Sequence, residues 1–334
     1  MSVPVIAFFN NKGGVGKTSL VYHLAWMYSD LGLRVLAVDL DPQANLTAAF
    51  FDEDWLEDIW GDGAHELTVY RSILPLVRGT GDIEQPHPVS ASGGPAVLPG
   101  DLSLSAFEDE LSSQWPFALS GNERAFRVLS ALWRVMQLAA QRSKSQVILM
   151  DLGPNLGSIN RAGLIAADYV VVPLSPDLFS LQGLRNLGPA FEKWRREWKD
   201  RLDRKPAFDV SLPAGRMQPL GYVVQQHSVR LDRPVKAYDK WINRIPLDYR
   251  TFVLSKPSAA KLSIQNDPHK LALLRHYRSL MPMAQEARKP MFHLKPADGA
   301  IGAHFQSVLE ARKDFQALAE SIALKANLSL VPAS

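Results

Sequence analysis

The sequence contains no cysteine. That excludes disulfides, cysteine-ligated zinc and iron–sulfur clusters, and it fits a reducing cytoplasm. There is no apolar run of the ~18 residues needed to cross a membrane. The opening MSVPVIAFFN has no basic residue ahead of its apolar stretch. It therefore reads as a first β-strand and not as a secretory signal. The eight histidines form no metal-spaced cluster, so a histidine-built zinc site is not expected. What remains is a 334-residue chain, 46% hydrophobic, of ordinary globular character.

The net charge of +3 is unevenly spread. Residues 1–184 carry 11 Lys+Arg against 20 Asp+Glu, residues 185–295 carry 23 against 10, and residues 296–334 carry 3 against 4. The middle sector is strongly basic, a candidate footprint for a polyanion. The alternative is a solvated surface balanced by the acidic half in three dimensions.

Along the chain, apolar runs alternate with helical periodicity. Val3–Phe9 reads as a strand, and from Lys17 the residues Leu20, Val21, Leu24, Ala25 and Tyr28 recur at helical spacing. Residues 34–40 (RVLAVDL) form the next strand. Further on, the pattern predicts a helix over 124–142, a strand over 146–150, a helix over 158–166, a strand over 169–172, a helix over 178–199, a strand over 220–224 and a helix over 300–324. This order predicts an α/β fold: a doubly wound, mostly parallel sheet flanked by helices, as in P-loop NTPases. Three stretches interrupt it: an acidic, tryptophan-bearing segment at 51–66, a Gly/Pro/Ser-rich loop at 79–100 and an irregular insertion at 245–270. None resembles a linker, so residues 1–325 read as a single domain with insertions, and 326–334 as a tail.

The chemistry is concentrated in NNKGGVGKTS (10–19). Gly13, Gly14 and Gly16 let the backbone curl so that N–H groups, including that of Val15, point at an anion. The helix starting near Lys17 adds its positive end. Lys17 reaches β- and γ-phosphates, Thr18 places a hydroxyl on Mg²⁺, and Ser19 continues the cradle. Asn11 stands where the usual motif has its first glycine. Asp39 and Asp41 follow one predicted strand and Asp151 follows another, so all three fall at the carboxyl edge of the sheet beside the turn. Each alone could be a helix-capping turn aspartate.

A second lysine, Lys12, precedes the glycines. With it, KGGVGKT resembles the deviant Walker A motif of the ParA/MinD group of P-loop ATPases. DLDPQANLT resembles that group's DxDPQGN-T segment, and MDLGPNLG its DxPPxLG segment. The likeness continues through VLPGDLSLSAFEDEL (97–111), VVPLSPDLFSLQGL (171–184) and 284–322. The resemblance implies an ATP-dependent homodimer that sandwiches two nucleotides. Lys12 would then reach the phosphates held by the other subunit, Asp41 would orient the attacking water, and Thr18, Asp39 and Asp151 would hold Mg²⁺. Lys12 could otherwise be a plain surface lysine. Gly153 and Ala44 depart from the family pattern, at a usual proline and a usual glycine.

The group divides by what its dimer binds. The tail LKANLSLVPAS is a poor membrane anchor. The basic sector instead suggests non-specific double-stranded DNA, with Arg230, Arg233, Lys236, Arg275, Arg278, Arg288 and Lys289 as candidate contacts. Trp194 and Trp198 could stack on bases, although packing against the body is the simpler reading. The chain begins directly at its first strand, so no N-terminal DNA-binding extension is expected. The resemblance thus implies a cytoplasmic, nucleoid-associated ATPase that uses ATP and Mg²⁺ to partition or position DNA or another cargo, stimulated by a ParB-like adaptor. Alternatives are a nucleotide switch of a mobile-element or defence system that docks proteins, and a metabolic P-loop enzyme.

Overall fold

The structure is a computed structural model that describes residues 2–61, 66–225, 240–256, 263–277 and 279–330. Apolar runs bounded by turns become strands: β1 (Val5–Phe8), β2 (Val35–Asp39), β3 (Val89–Ser90), β4 (Ala96–Leu98), β5 (Val147–Asp151), β6 (Tyr169–Leu174), β7 (Gln218–Gln225) and β8 (Lys270–Leu274). They form one sheet in the order β3-β4-β2-β5-β1-β6-β7-β8, parallel except for the β3–β4 pair. β1, β2 and β5 are buried on both faces, which is why they read as continuous hydrophobic runs. Alternation assigns the two sides: Val5, Ala7 and Phe9 face one core, Ile6 and Phe8 the other.

The helices are α1 (Lys17–Asp30), α2 (Asn45–Phe50), α3 (Glu53–Trp60), α4 (Val69–Arg78), α5 (Phe107–Phe117), α6 (Glu123–Leu129), α7 (Ala131–Arg142), α8 (Ser158–Ala166), α9 (Leu178–Leu202), α10 (Ile245–Asp248), α11 (Leu280–Glu286) and α12 (Ala303–Ala326). One face of the sheet is covered by α4 to α10, the other by α1, α11 and α12. β1 sits mid-sheet between β5 and β6, so the turn that follows it opens at the centre of the carboxyl edge.

The doubly wound architecture agrees with the sequence reading, and four local expectations need correction. The 79–100 loop contains β4, which pairs in parallel with β2 and extends the sheet, and β3 beyond it. The acidic stretch at 51–66 holds α3, which Asp52 caps by accepting a hydrogen bond from Trp55 N; residues 62–65 lie outside the described residues. The irregular insertion at 245–270 begins with α10 and a wider π-type turn, Tyr249–Val253, and ends where β8 begins. The single helix expected over 124–142 is two, α6 and α7, meeting at Ser130.

The long α9 packs one face against the body from Ser180 to Arg201. Trp194 and Trp198 are 6% and 1% exposed, and Trp198 stacks on Trp115 with centroids 6.3 Å apart. Its indole N–H donates to Pro213 O at 2.9 Å. The tryptophans are thus core, and Arg195 between them donates to the carbonyls of Arg216 and Met217. A stacking surface for bases is absent there.

Candidate nucleotide-binding site

The turn after β1 is shaped for close approach of an anion. Gly14 and Gly16 have φ of 72° and 76°, left-handed values that an L side chain strains. Asn10 braces the turn: its Nδ2 donates to Pro173 O at 2.7 Å, and its Oδ1 accepts from Lys12 N at 3.0 Å. Gln225, ending β7, donates to Gly16 O at 3.1 Å. Val15 is fully buried. α1 starts at Lys17, so its free N–H groups and positive dipole end face the turn. Lys17 is 7% exposed, and its Nζ folds back to 3.4 Å from the Lys12 carbonyl. Burial lowers its pKa against the raising charges of Asp151 and Asp41. A cleft of about 710 Å³ opens above, lined by Gly13, Gly14, Gly16, Lys17, Thr18, Ser19 and Asp41.

The aspartates do gather at this edge, since Asp39 lies opposite Asp151 in the β2–β5 register. Their environments differ. Asp39 is fully buried, and its Oδ2 accepts from Thr47 N at 2.8 Å and Thr47 Oγ1 at 2.7 Å. Its Oδ1 accepts from Asp41 N at 3.3 Å. Burial still raises its pKa to about 6. Asp151 is also fully buried, but neither carboxylate oxygen has a hydrogen-bond partner. Burial and then the Asp39 charge push its pKa up to about 8; the Thr18 hydroxyl, close by but short of a regular hydrogen bond, opposes this. An unpaired buried carboxylate beside a threonine hydroxyl suits a hard, oxygen-seeking cation. Mg²⁺ therefore fits at Asp151 and Thr18, whereas Asp39 is engaged in holding α2. A Mg²⁺ held there would supply positive charge to a bound nucleotide. Among the described residues, no group of three or more His, Asp or Glu could hold a metal ion.

Asp41 lines the cleft, 7% exposed, and its Oδ1 accepts from Gln43 N at 3.1 Å. The two departures from family pattern lie close to it. A Cβ at Gly153 would come 3.3 Å from Asp41 Oδ1, so glycine there leaves room for the carboxylate. Ala44 adopts φ 51° and ψ 32°, the left-handed conformation for which a glycine is the unstrained choice.

Lys12 does not line the cleft. Its Nζ pairs with Asp177, the N-cap of α9, and sits 6.0 Å from the Phe179 ring centroid. Asp177 uses its other oxygen to accept from Ser180 N at 2.9 Å. This partner, 165 positions away, has no signature in the local sequence. Gln225 has one: it ends a strand at the carboxyl edge, where functional residues collect.

The basic candidates divide. Arg230, Arg233, Lys236 and Arg278 lie outside the described residues. Arg275 is exposed but bound by Glu310 at 2.6 Å and Asp314 at 3.0 Å. Lys289 pairs with Asp298 at 2.7 Å. Arg288 is exposed on a turn with φ 47°. Residues 240–256 add Lys240, Arg244, Arg250 and Lys256, with Lys240 and Arg244 both over the Trp241 ring.

A family model described as an AAA domain matches residues 3–204, more than half of the chain. With the glycine turn and the three aspartates at one edge of the sheet, this settles the family. The chain belongs to the ParA/MinD group of P-loop ATPases. As a ParA-type chain, it is 30% identical over 209 residues to a probable plasmid-partitioning protein ParA of Thermus thermophilus, covering 62% of this chain and 56% of that one. It is 30% identical over 202 residues to a chromosome partitioning protein ParA of Caulobacter vibrioides, covering 60% and 66%. The matches thus span under two thirds of either relative. Among solved structures, a Corynebacterium diphtheriae protein superposes with a TM-score of 0.72 at 25% identity, over 96% of this chain and 98% of that one. The ATP complex of a Cyanothece McdA variant superposes with a TM-score of 0.63 at 15% identity, over 96% and 97%, a likeness of fold. Among the described residues, no helix of this ParA-type protein is long and apolar enough to cross a membrane.

One residue beside the cleft makes a pH test possible. His23 is buried on α1, stacked on Phe315, with Nδ1 at 2.7 Å from Ser19 O. Burial, opposed by that carbonyl and aided by His293, lowers its pKa to about 4. An unfolded histidine titrates near ~6.5. Below that pH the unfolded chain takes up a proton that the folded one refuses. His23 therefore contributes full stability above about pH 6.5, and roughly 3 kcal/mol of it is lost as pH falls toward about 4. The stability of wild type relative to His23→Phe, read from denaturant midpoints across this range, should fall on acidification. Parallel curves would sink the assignment.

Proposed function

We propose that this protein is a ParA-like ATPase whose ATP-bound sandwich dimer binds DNA without sequence preference and so partitions or positions DNA or another cargo. The observation that carries this reading is the placement of the two lysines: Lys17 folds into its own phosphate turn, while Lys12 points away to Asp177. A lysine held there does not line its own cleft, and once released from Asp177 it would be free to serve a facing one. Beside it, Leu178 and Phe179 at the start of α9 are 53% and 72% exposed, an apolar rim that a second copy would cover. In this reading Asp41 orients the attacking water, Lys17 holds the phosphates, and Thr18 and Asp151 hold Mg²⁺. Catalysis is then positioning and charge stabilisation. A cavity of about 240 Å³ adjoining the cleft, lined in part by Gln225, Tyr277 and Met281, would take the base. A ParB-like adaptor would stimulate hydrolysis.

For DNA, Arg275 and Lys289 are weakened as contacts by their ion pairs, and the 240–256 segment is the better surface. A dimer neutralising ~5 phosphates gives a log–log salt slope of about −4.5, a loss of roughly 500-fold between about 50 and 200 mM salt. Random-sequence duplex titrated with a slowly hydrolysed ATP analogue and with ADP checks this. Binding should need the analogue and follow that slope. Absence of binding at low salt in every nucleotide state would leave the chain as a protein-docking switch.

A further inference from the structure

α8 follows the loop 152–157 but has no capping side chain of its own, because its N-cap is Gly157. The cap comes from α5. Both carboxylate oxygens of Glu108 accept backbone hydrogen bonds, one from Ser158 N and the other from Ile159 N at 2.9 Å. Such charge-assisted bonds at a helix N-terminus are strong. A Cβ at Gly157 would lie 2.6 Å from Glu108 Oε1, so glycine is what admits the carboxylate. A second link joins the same two helices: Arg161 of α8 lies over the Trp115 ring of α5, 4.0 Å from its centroid.

The clamped loop is the one beside the chemistry. It leaves β5 at Asp151, passes Gly153 against Asp41, and brings Pro154 to the phosphate turn, 3.9 Å from where a Gly13 Cβ would stand. Asn160 Nδ2, one turn into α8, donates to Gly153 O at 3.0 Å and Asn155 O at 2.8 Å. The loop is thus pinned to α8, and α8 is pinned to Glu108. We propose that Glu108 is a positioning residue for nucleotide turnover. It fixes the 153–157 loop against Asp41 and the phosphate turn, and thereby sets the preference for a triphosphate over a diphosphate. This rests on the ATPase reading above.

The test compares wild type, Glu108→Ala and Glu108→Gln by three measurements. Hydrogen exchange at Ser158 and Ile159, without nucleotide, reads the clamp itself. Titration with fluorescent ADP and a fluorescent, slowly hydrolysed ATP analogue reads discrimination. Phosphate release reads kcat and KM. In Glu108→Ala we expect faster exchange confined to 152–160, ADP affinity within about twofold of wild type, analogue affinity about tenfold weaker and kcat at least about tenfold lower. Glu108→Gln, which keeps one acceptor, should fall between. Equal loss of ADP and analogue affinity together with a lowered melting temperature would mean a merely structural residue and would overturn the proposal. So would wild-type discrimination in both variants. If the wild type discriminates the nucleotides but hydrolyses neither ATP nor GTP, the ATPase reading fails. A loss of discrimination in Glu108→Ala would still uphold the clamp.

Discussion

Lys12→Ala should lower ATP turnover by about a thousandfold or more while ADP binds within about twofold of wild type. The magnitude is that of a cation supplied in trans to the charge developing on a transferring phosphoryl group. The sparing of ADP follows from geometry. Lys12 holds the phosphate turn through its backbone N–H to Asn10, which alanine keeps, and its Nζ is turned to Asp177. Folding should hardly suffer. Lys12 and Asp177 are 26% and 23% exposed, and pairs of that kind contribute about 0–1 kcal/mol. Asp177 continues to cap α9 through Ser180 N. Lys17→Ala makes the contrast, because it should remove binding of ADP and ATP alike. Steady-state phosphate release with labelled-ADP titration decides the matter. If Lys12→Ala hydrolyses within about tenfold of wild type, or loses ADP as Lys17→Ala does, the lysine does not act across a dimer.

Gly188→Ala should destabilise the protein by about 3 kcal/mol or more. Gly188 lies mid-α9, where a Cβ would fall inside the van der Waals radius of the Phe252 carbonyl oxygen and crowd its carbon and Val253 N. All of these are backbone atoms of the π-type turn. No rotamer change relieves them, so α9 must separate from the turn. Intrinsic helix propensity alone favours the substitution by up to ~1 kcal/mol, and the clash reverses that sign. For a chain of this size the melting temperature should fall by roughly 6 °C or more. A rise would mean that the close approach of α9 to Phe252 is not populated in solution.

The parts of this protein that the sequence makes legible are those whose signal is local. β1, β2, β5 and β6 are double-sided core strands and appear as apolar runs; the phosphate turn carries its glycines and lysine together. What is hidden is short or distant. β4 is three residues between prolines in GGPAVLPG, and its strand character comes from pairing with β2. α5 carries Pro116 in its last turn, and its periodicity is weak, so nothing local announces it. The counter-charges of Arg275 and Lys289 are equally invisible along the chain. Both basic residues read as phosphate contacts in one dimension, yet folding sets Glu310, Asp314 and Asp298 beside them. Glu108 reaches across 50 residues to cap α8, and Asp177 across 165 to Lys12. A single sequence carries the residues of such pairs without their distance.

In the sandwich reading proposed above, the Lys12–Asp177 pair also bears on how the protein would count its own copies. While the pair is closed, Lys12 would not be offered to a facing cleft, so only chains with the pair open would complete the sandwich. Apparent association would weaken by that fraction for each copy; an open population of about one in a hundred would weaken pairing about a hundredfold per copy and about ten-thousandfold for the pair. The fraction enters twice because two copies meet, and it raises the concentration at which pairing begins. Sparse molecules would stay single and crowded ones would pair, with the threshold written into one ion pair at the start of α9.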